Sequence, residues 1–316
     1  MGLKELKLDL IDEVSSILDP TFDIEVANTR SVPHSDDPAI TFPNLDDRSQ
    51  KTKLIETCVL YVDMGRSTEL SFRHRPTTVA KLYSSFVRAM TRCATNYGGE
   101  VRGIIGDRVM VLFPSDGCFV SALDTAILMN SVCKYVLNEH FEHNEVTFGI
   151  GIDYGRMLAT KIGIRRHGSA QASYRNLVWL GRPANIASKL TDMANKPEVS
   201  HIVDIVHVGY ATSVFANWTW TDEYPWDFVK QLRYENRALS HNNPYFQSFF
   251  LGTQTWIERH LTPPILMTDF VYDGIRKAAP NRKAIKDNLI KKLKVTAPET
   301  GAPVYGGDVI FMDFKT

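Results

Sequence analysis

The sequence predicts an α+β or α/β sandwich over about residues 55–235. Apolar runs of strand length alternate there with stretches of helical periodicity, and two of the runs bracket a short polar tip in the manner of a hairpin. Composition agrees: 316 residues, 44% hydrophobic and 23% charged, is an ordinary globular balance on a chain long enough for a full core.

Residues 3–18 place Leu3, Leu6, Leu10, Val14, Ile17 and Leu18 at amphipathic helical spacing, so this helix must pack on the main body or on a second subunit. Residues 28–49, with Pro33, Pro38 and Pro43 among several Asp and Ser, read as a loop or linker. Cys58-Val59-Leu60-Tyr61-Val62 is a short strand ending at Asp63, and Val79, Leu82, Phe86 and Met90 mark a helix. Gly98-Gly99 turns the chain into a strand at 100–105; Asp107 then precedes the strand Val109-Met110-Val111-Leu112-Phe113. Residues 122–137 read as helix, 146–153 as strand, 185–194 as helix and 201–208 as a buried strand. The stretch from Trp218 to Trp226 looks aromatic and irregular, residues 283–294 a basic helix, and 309–314 a final strand. The expected division is an N-terminal helix and linker at 1–50, a catalytic domain at 51–235 and a C-terminal extension at 236–316.

Thirty-six Lys plus Arg balance 36 Asp plus Glu, which argues against nucleic acid or an anionic membrane as the main partner but leaves room for a small polyanion in a local cationic pocket. Cys58, Cys93, Cys118 and Cys133 form no CxxC pair, and their apolar neighbours predict reduced, buried thiols. The start of the chain has no signal-peptide core, and no apolar run reads as a membrane span, so a cytoplasmic protein is expected. No P-loop signature, GxSxG elbow or HExxH motif occurs.

Asp63 and Asp107 each stand where an apolar strand meets a glycine-containing turn, in Val62-Asp63-Met64-Gly65-Arg66-Ser67-Thr68 and Ile105-Gly106-Asp107-Arg108. On neighbouring strands the two carboxylates project from one edge, which suits a pair of hard divalent ions that share substrate phosphates. The Gly65–Thr68 turn opens a helix, so free N–H groups face any phosphate placed there. One aspartate at a strand end more often caps a turn; the shared context of two reverses that reading.

These segments resemble, in order, the landmarks of class III nucleotidyl cyclase domains. They are continued by Gly98-Gly99-Glu100-Val101 leading to Gly106-Asp107, by Phe148-Gly149-Ile150-Gly151-Ile152 with Gly155, and by Gly181-Arg182-Pro183-Ala184-Asn185-Ile186-Ala187-Ser188-Lys189. The resemblance covers about residues 55–200. It implies a ferredoxin-like βαββαβ core acting as a head-to-tail homodimer. It also implies two divalent ions, Mn²⁺ or Mg²⁺, on Asp63, Asp107 and the Met64 carbonyl, with the triphosphate on Gly65, Arg66, Ser67 and Thr68. Asn185 would orient the ribose from the partner subunit. The family arginine four residues on is Lys189 here, which keeps a charge but loses the bidentate fork; Arg66, Arg102 or Arg108 could add to it.

The family's two base-selecting positions fall on Gly103 and Val178, whose side chains offer no purine-specific hydrogen bond. A glycine with Arg102 beside it resembles the standalone pyrimidine cyclases of bacterial antiphage (Pycsar) systems. That implies conversion of UTP to 3′,5′-cyclic UMP and pyrophosphate, a signal read by a separate cyclic-nucleotide-sensing effector. Arg102 could donate to a uracil oxygen, and no acid stands at the selecting positions to accept from the cytosine amine, so UTP is favoured over CTP. A cytidylate cyclase, an adenylate cyclase and a non-catalytic nucleotide-binding module are the alternatives.

Overall fold

The computed structural model describes residues 2–65, 67–141, 146–162, 177–195, 199–211, 218–258 and 262–315. In chain order its elements are α1 (Leu3–Leu18), β1 (Asp23–Thr29), β2 (Ser49–Gly65), α2 (Ser67–Arg73), α3 (Pro76–Asn96), β3 (Glu100–Ile105), β4 (Arg108–Leu112) and α4 (Cys118–Val132). A π-turn at Cys133–Leu137 and α5 (Asn138–His140) lead to β5 (Thr147–Thr160), β6 (Val178–Leu180), α6 (Arg182–Met193), β7 (Val199–Ala211), β8 (Trp218–Glu223) and α7 (Pro225–Lys230). Then come β9 (Leu232–Glu235), β10 (Ala238–His241), β11 (Phe246–Glu258), β12 (Ile265–Thr268), α8 (Asp269–Ala278), α9 (Lys283–Lys286), β13 (Lys291–Thr296) and β14 (Pro303–Gly307).

The chain divides into two compact units, residues 1–196 with 262–316 and residues 197–261. In the first, the described strands form one sheet in the order β13-β14-β12-β5-β2-β4-β3, with β1 added to β2 and β6 to β5. The inner four, β5-β2-β4-β3, are antiparallel throughout. With the helices between them they are the predicted βαββαβ ferredoxin-like core. β2 is far longer than the five-residue run expected, because its first half pairs in parallel with β1, which the sequence reading passed over.

Period-two alternation along β2 decides which side chain goes where. Cys58, Leu60, Val62 and Met64 enter the main core beneath α3, α4 and α8, with Phe86 and Met90 of α3 fully buried there. Val59 and Tyr61 face the opposite side, toward Ala184 and Ala187 of α6. The helical stretch Cys118–His140 is long and apolar enough to cross a bilayer by length and composition, a feature the sequence reading missed. Here it is a core helix, with Ala122, Leu123, Ala126 and Met129 fully buried against the sheet. All four cysteines are free and buried.

The glycines of β5 seat α6. A Cβ on Gly151 would lie 2.2 Å from the Ala187 carbonyl oxygen, and one on Gly149 would lie 2.6 Å from that of Thr191. Backbone oxygens cannot retreat without lifting the helix, so Gly151→Ala is expected to destabilise the fold by about 1–3 kcal/mol. Thermal unfolding measures this; an unchanged midpoint would mean that α6 is not seated as described.

Several expectations are corrected. Residues 236–316 are not an extension: β12 pairs in parallel with β5, and β14 and β13 continue the sheet beyond it. The boundary expected at 235 falls inside the second unit, between the paired strands β9 and β10. Residues 283–294 are not one helix; α9 stops at Lys286, and in β13 Leu293 and Val295 are half-buried between exposed Lys292, Lys294 and Thr296, a strand pattern. The final strand is Pro303–Gly307, while Met312–Phe314 forms a 3₁₀ turn. Among the Trp218–Trp226 residues, Trp218–Glu223 is regular strand and Pro225 opens α7.

The second unit is a three-stranded antiparallel sheet with β7 between β11 and β8, plus the β9–β10 hairpin. Phe228 of α7 packs on Val206 and Val208 of β7.

Candidate functional site

Asp63 lies near the end of β2, opposite Gly149 of β5, and its odd-numbered register turns it toward α6. Asp107 follows Gly106, whose φ of +62° lets the β3–β4 hairpin turn tightly. Since β4 pairs directly with β2, the two carboxylates share one sheet edge, as the sequence predicts.

Asp63 Oδ1 accepts the Met64 N–H at 3.0 Å, and Oδ2 accepts Arg108 Nε at 3.1 Å. Arg108 Nη2 also bonds Asp63 and Asp192, and Nη1 donates to Ser188 Oγ at 2.6 Å. One guanidinium thus ties the Asp63 carboxylate to the face of α6. Asp107 is less well supplied: its Oδ2 is buried with no hydrogen-bond partner. Burial and then the Asp63 charge push its carboxyl up from the ordinary range, against a hydrogen bond from Ser67 that pulls it down. A carboxylate with an unsupplied buried oxygen beside a second carboxylate is a donor set short of a cation, so the residues present fit a hard divalent ion. Two carboxylates make up the set; among the described residues no cluster of three or more His, Cys, Asp or Glu forms a denser metal site.

Ser67 opens α2, two residues after Gly65, where a Cβ would lie 2.2 Å from Thr147 Oγ1 on β5. Arg66 and the side chain of Thr68 lie outside the described residues. Met64 buries its side chain in the core, at 2% exposure.

Asn185 and Lys189 stand one turn apart on α6, with Asn185 exposed. Lys189 pairs with Glu299, in the turn between β13 and β14. Ser188 and Asp192, which the sequence reading did not single out, reach Arg108 from the same helix; their spacing of three and seven residues from Asn185 is the signal that could have found them.

Gly103 and the neighbours of Val178 meet in a second feature. A cleft of about 330 Å³ is lined by His34 and Ser35 of the loop after β1, Arg102 and Gly103 of β3, and Leu177 and Trp179 flanking Val178. A Cβ on Gly103 would meet only Met110, at 3.4 Å, so glycine leaves open space there rather than satisfying a close contact. Val178 itself is more than a third exposed and does not line the cleft. Arg102 is already engaged: Nε donates to the Pro33 carbonyl at 3.0 Å, Nη1 to its neighbour Val101, and Nη2 to Glu100. It tethers the loop that carries His34 and Ser35.

Residues 49–214, more than half the chain, match the family model for the adenylate and guanylate cyclase catalytic domain. A Burkholderia cepacia protein named uridylate cyclase is 26% identical over 221 residues, covering 66% of this chain and 91% of that protein. A uridylate cyclase from Gulbenkiania mobilis is 25% identical over 239 residues, covering 71% and 86% respectively. Among solved structures, a bacterial light-regulated adenylyl cyclase is similar at a TM-score of 0.49 and 16% identity, over 83% of this chain and 54% of that one. With Asp63 and Asp107 at one sheet edge and the family model matched along β2 to β7, the chain belongs to the adenylate and guanylate cyclase catalytic-domain family and is a nucleotidyl cyclase.

Proposed function

We propose that the protein converts UTP to 3′,5′-cyclic UMP and pyrophosphate in composite sites shared by two copies of the chain. The observation that carries the base assignment is the cleft at Gly103. None of its lining residues is acidic, whereas His34 and Ser35 offer donors beside the engaged Arg102. Uracil presents carbonyl oxygens to such donors; cytosine presents an amine that would go unpaired, and an unpaired buried polar group is where a site discriminates most strongly. The names of the Burkholderia and Gulbenkiania relatives support the same reading.

In this reaction the 3′ oxygen bonds to the α-phosphorus, the bond to the pyrophosphate oxygen breaks, and the 3′ proton is lost. Asp63, Asp107 and the Met64 carbonyl would hold Mn²⁺ or Mg²⁺, which supplies charge neutralisation for the phosphates and a more acidic attacking hydroxyl. Backbone N–H groups at Gly65 and at the start of α2 would face the triphosphate. Asn185 of one copy orients the ribose bound to the other, and Lys189 places a point charge near the reacting phosphate once it leaves Glu299. Arg108 holds Asp63 in place and partly offsets the charges of Asp63 and Asp192. A cytoplasmic protein signalling infection to a separate cyclic-nucleotide effector completes the proposal, in keeping with the antiphage cyclases that the sequence resembles.

The test is to incubate the protein with Mn²⁺ and ATP, GTP, CTP or UTP separately and to resolve products by chromatography and mass. Cyclic UMP as the dominant product is expected. Cyclic CMP or a cyclic purine would overturn the base assignment, and nucleotide bound without product would overturn turnover itself.

A further inference from the structure

The indole Nε1 of Trp179, on β6, is buried and has no hydrogen-bond partner among the described residues. A buried N–H left alone costs free energy, so its presence calls for a reason. The packing around the ring supplies none. Trp179 lies against two apolar clusters, one holding Ile40 and Ala159, the other Ile55 and Met110. The Met110 sulfur, a weak acceptor, already takes the Tyr61 hydroxyl at 3.0 Å.

Trp179 also lines the cleft at Gly103, and that cleft lies on the catalytic face of the sheet. Tyr61, two residues before Asp63 on β2, packs with Trp179 and Met110, and Met110 is what a Cβ on Gly103 would meet. Successive residues of a strand point to opposite faces, so Val178 stays out of the cleft while its neighbour lines it. The family's selecting position on β6 is vacated, and Trp179 stands next to it on the side of the cleft.

The chemistry of the lining says which base atom the indole meets. His34 and Ser35 can each donate or accept, so they suit an amine as well as a carbonyl, and Arg102 is engaged by Pro33 and Glu100. An indole N–H only donates. It therefore separates the carbonyl at position 4 of uracil from the amine at position 4 of cytosine, which His34 and Ser35 do not.

We infer that Trp179 is a specificity-determining residue of the base cleft, its indole N–H donating to the O4 oxygen of uracil. This rests on the reading of the cleft as the uracil site and adds to it a residue and an atom.

Trp179→Phe tests it, since phenylalanine keeps an aromatic ring and deletes a donor that bonds to nothing in the free protein. The kcat/KM for UTP should fall about tenfold, the worth of one hydrogen bond, while that for CTP changes little, so the preference for UTP narrows by the same factor. With 4-thio-UTP, whose sulfur is the poorer acceptor, wild type should be several-fold slower than with UTP and the variant equally fast with both. A tryptophan with only a packing role would lower all three substrates alike. Should phenylalanine disturb the packing, β-(3-benzothienyl)alanine at residue 179, with sulfur in place of the N–H on the same bicyclic frame, repeats the comparison. Unchanged UTP:CTP and UTP:4-thio-UTP ratios in the variant would overturn the inference and leave the uracil reading standing. A wild-type chain that prefers another base would overturn both, and that shows before any variant is made.

Discussion

Asp107→Asn is expected to abolish turnover while making the metal-free protein more stable. The carboxamide keeps the size of the side chain and an acceptor for Ser67, but removes a charge whose buried Oδ2 has no partner and which stands beside Asp63. Relieving that is worth about 1 kcal/mol, a rise of roughly 1–2 °C in the unfolding midpoint at this chain length. Activity with any divalent ion should fall on the order of 10³-fold, since a carboxylate that would hold the ion is lost. The stabilising effect of Mn²⁺ on the wild-type midpoint should vanish as well. An Asn variant that turns over normally, or one less stable than wild type without metal, would contradict the role given to this residue.

Arg108→Ala is expected to act in the opposite direction. It strands Asp63 and Asp192 without their shared cation and cuts the link to Ser188. Both ends of the Arg108–Asp63 pair are only about a quarter exposed or less, so solvent screens it incompletely. Losing one partner should cost about 2 kcal/mol. Mn²⁺ should recover much of that loss, giving a larger metal-induced rise in midpoint than in wild type. A midpoint unchanged by the substitution, with an ordinary response to Mn²⁺, would show that Arg108 is not the counterion of the site.

The site was legible where chemistry is local. Asp63 and Asp107 announce themselves by strand-to-turn context, whereas Gly149 and Gly151 stand out in sequence only through the family resemblance, and the structure shows that they seat α6. What was hidden depends on distant chain segments. Nothing near Lys291 says that it belongs to the same sheet as Asp63, because the intervening unit at residues 197–261 separates β13 and its neighbours from the rest of the core by its full length. The basic residues of 283–294 mimic a helix face until the pairing of β13 with β14 imposes period two. Arg102 reads as a base contact in sequence; its bonds to Pro33 and Glu100 are visible only once the loop after β1 is folded over β3. Glu299, which holds Lys189, lies 110 residues from it in sequence.

The central proposal is that one catalytic centre draws Asp63 and Asp107 from one copy of the chain and Asn185 and Lys189 from another. Mixing Asp63→Ala and Asn185→Ala chains, each inactive alone, measures this directly. In an equal mixture half the dimers are mixed and each carries one intact centre of two, so activity should return to roughly a quarter of wild type. A mixture that stays inactive, while light scattering shows that both variants pair normally, would contradict it.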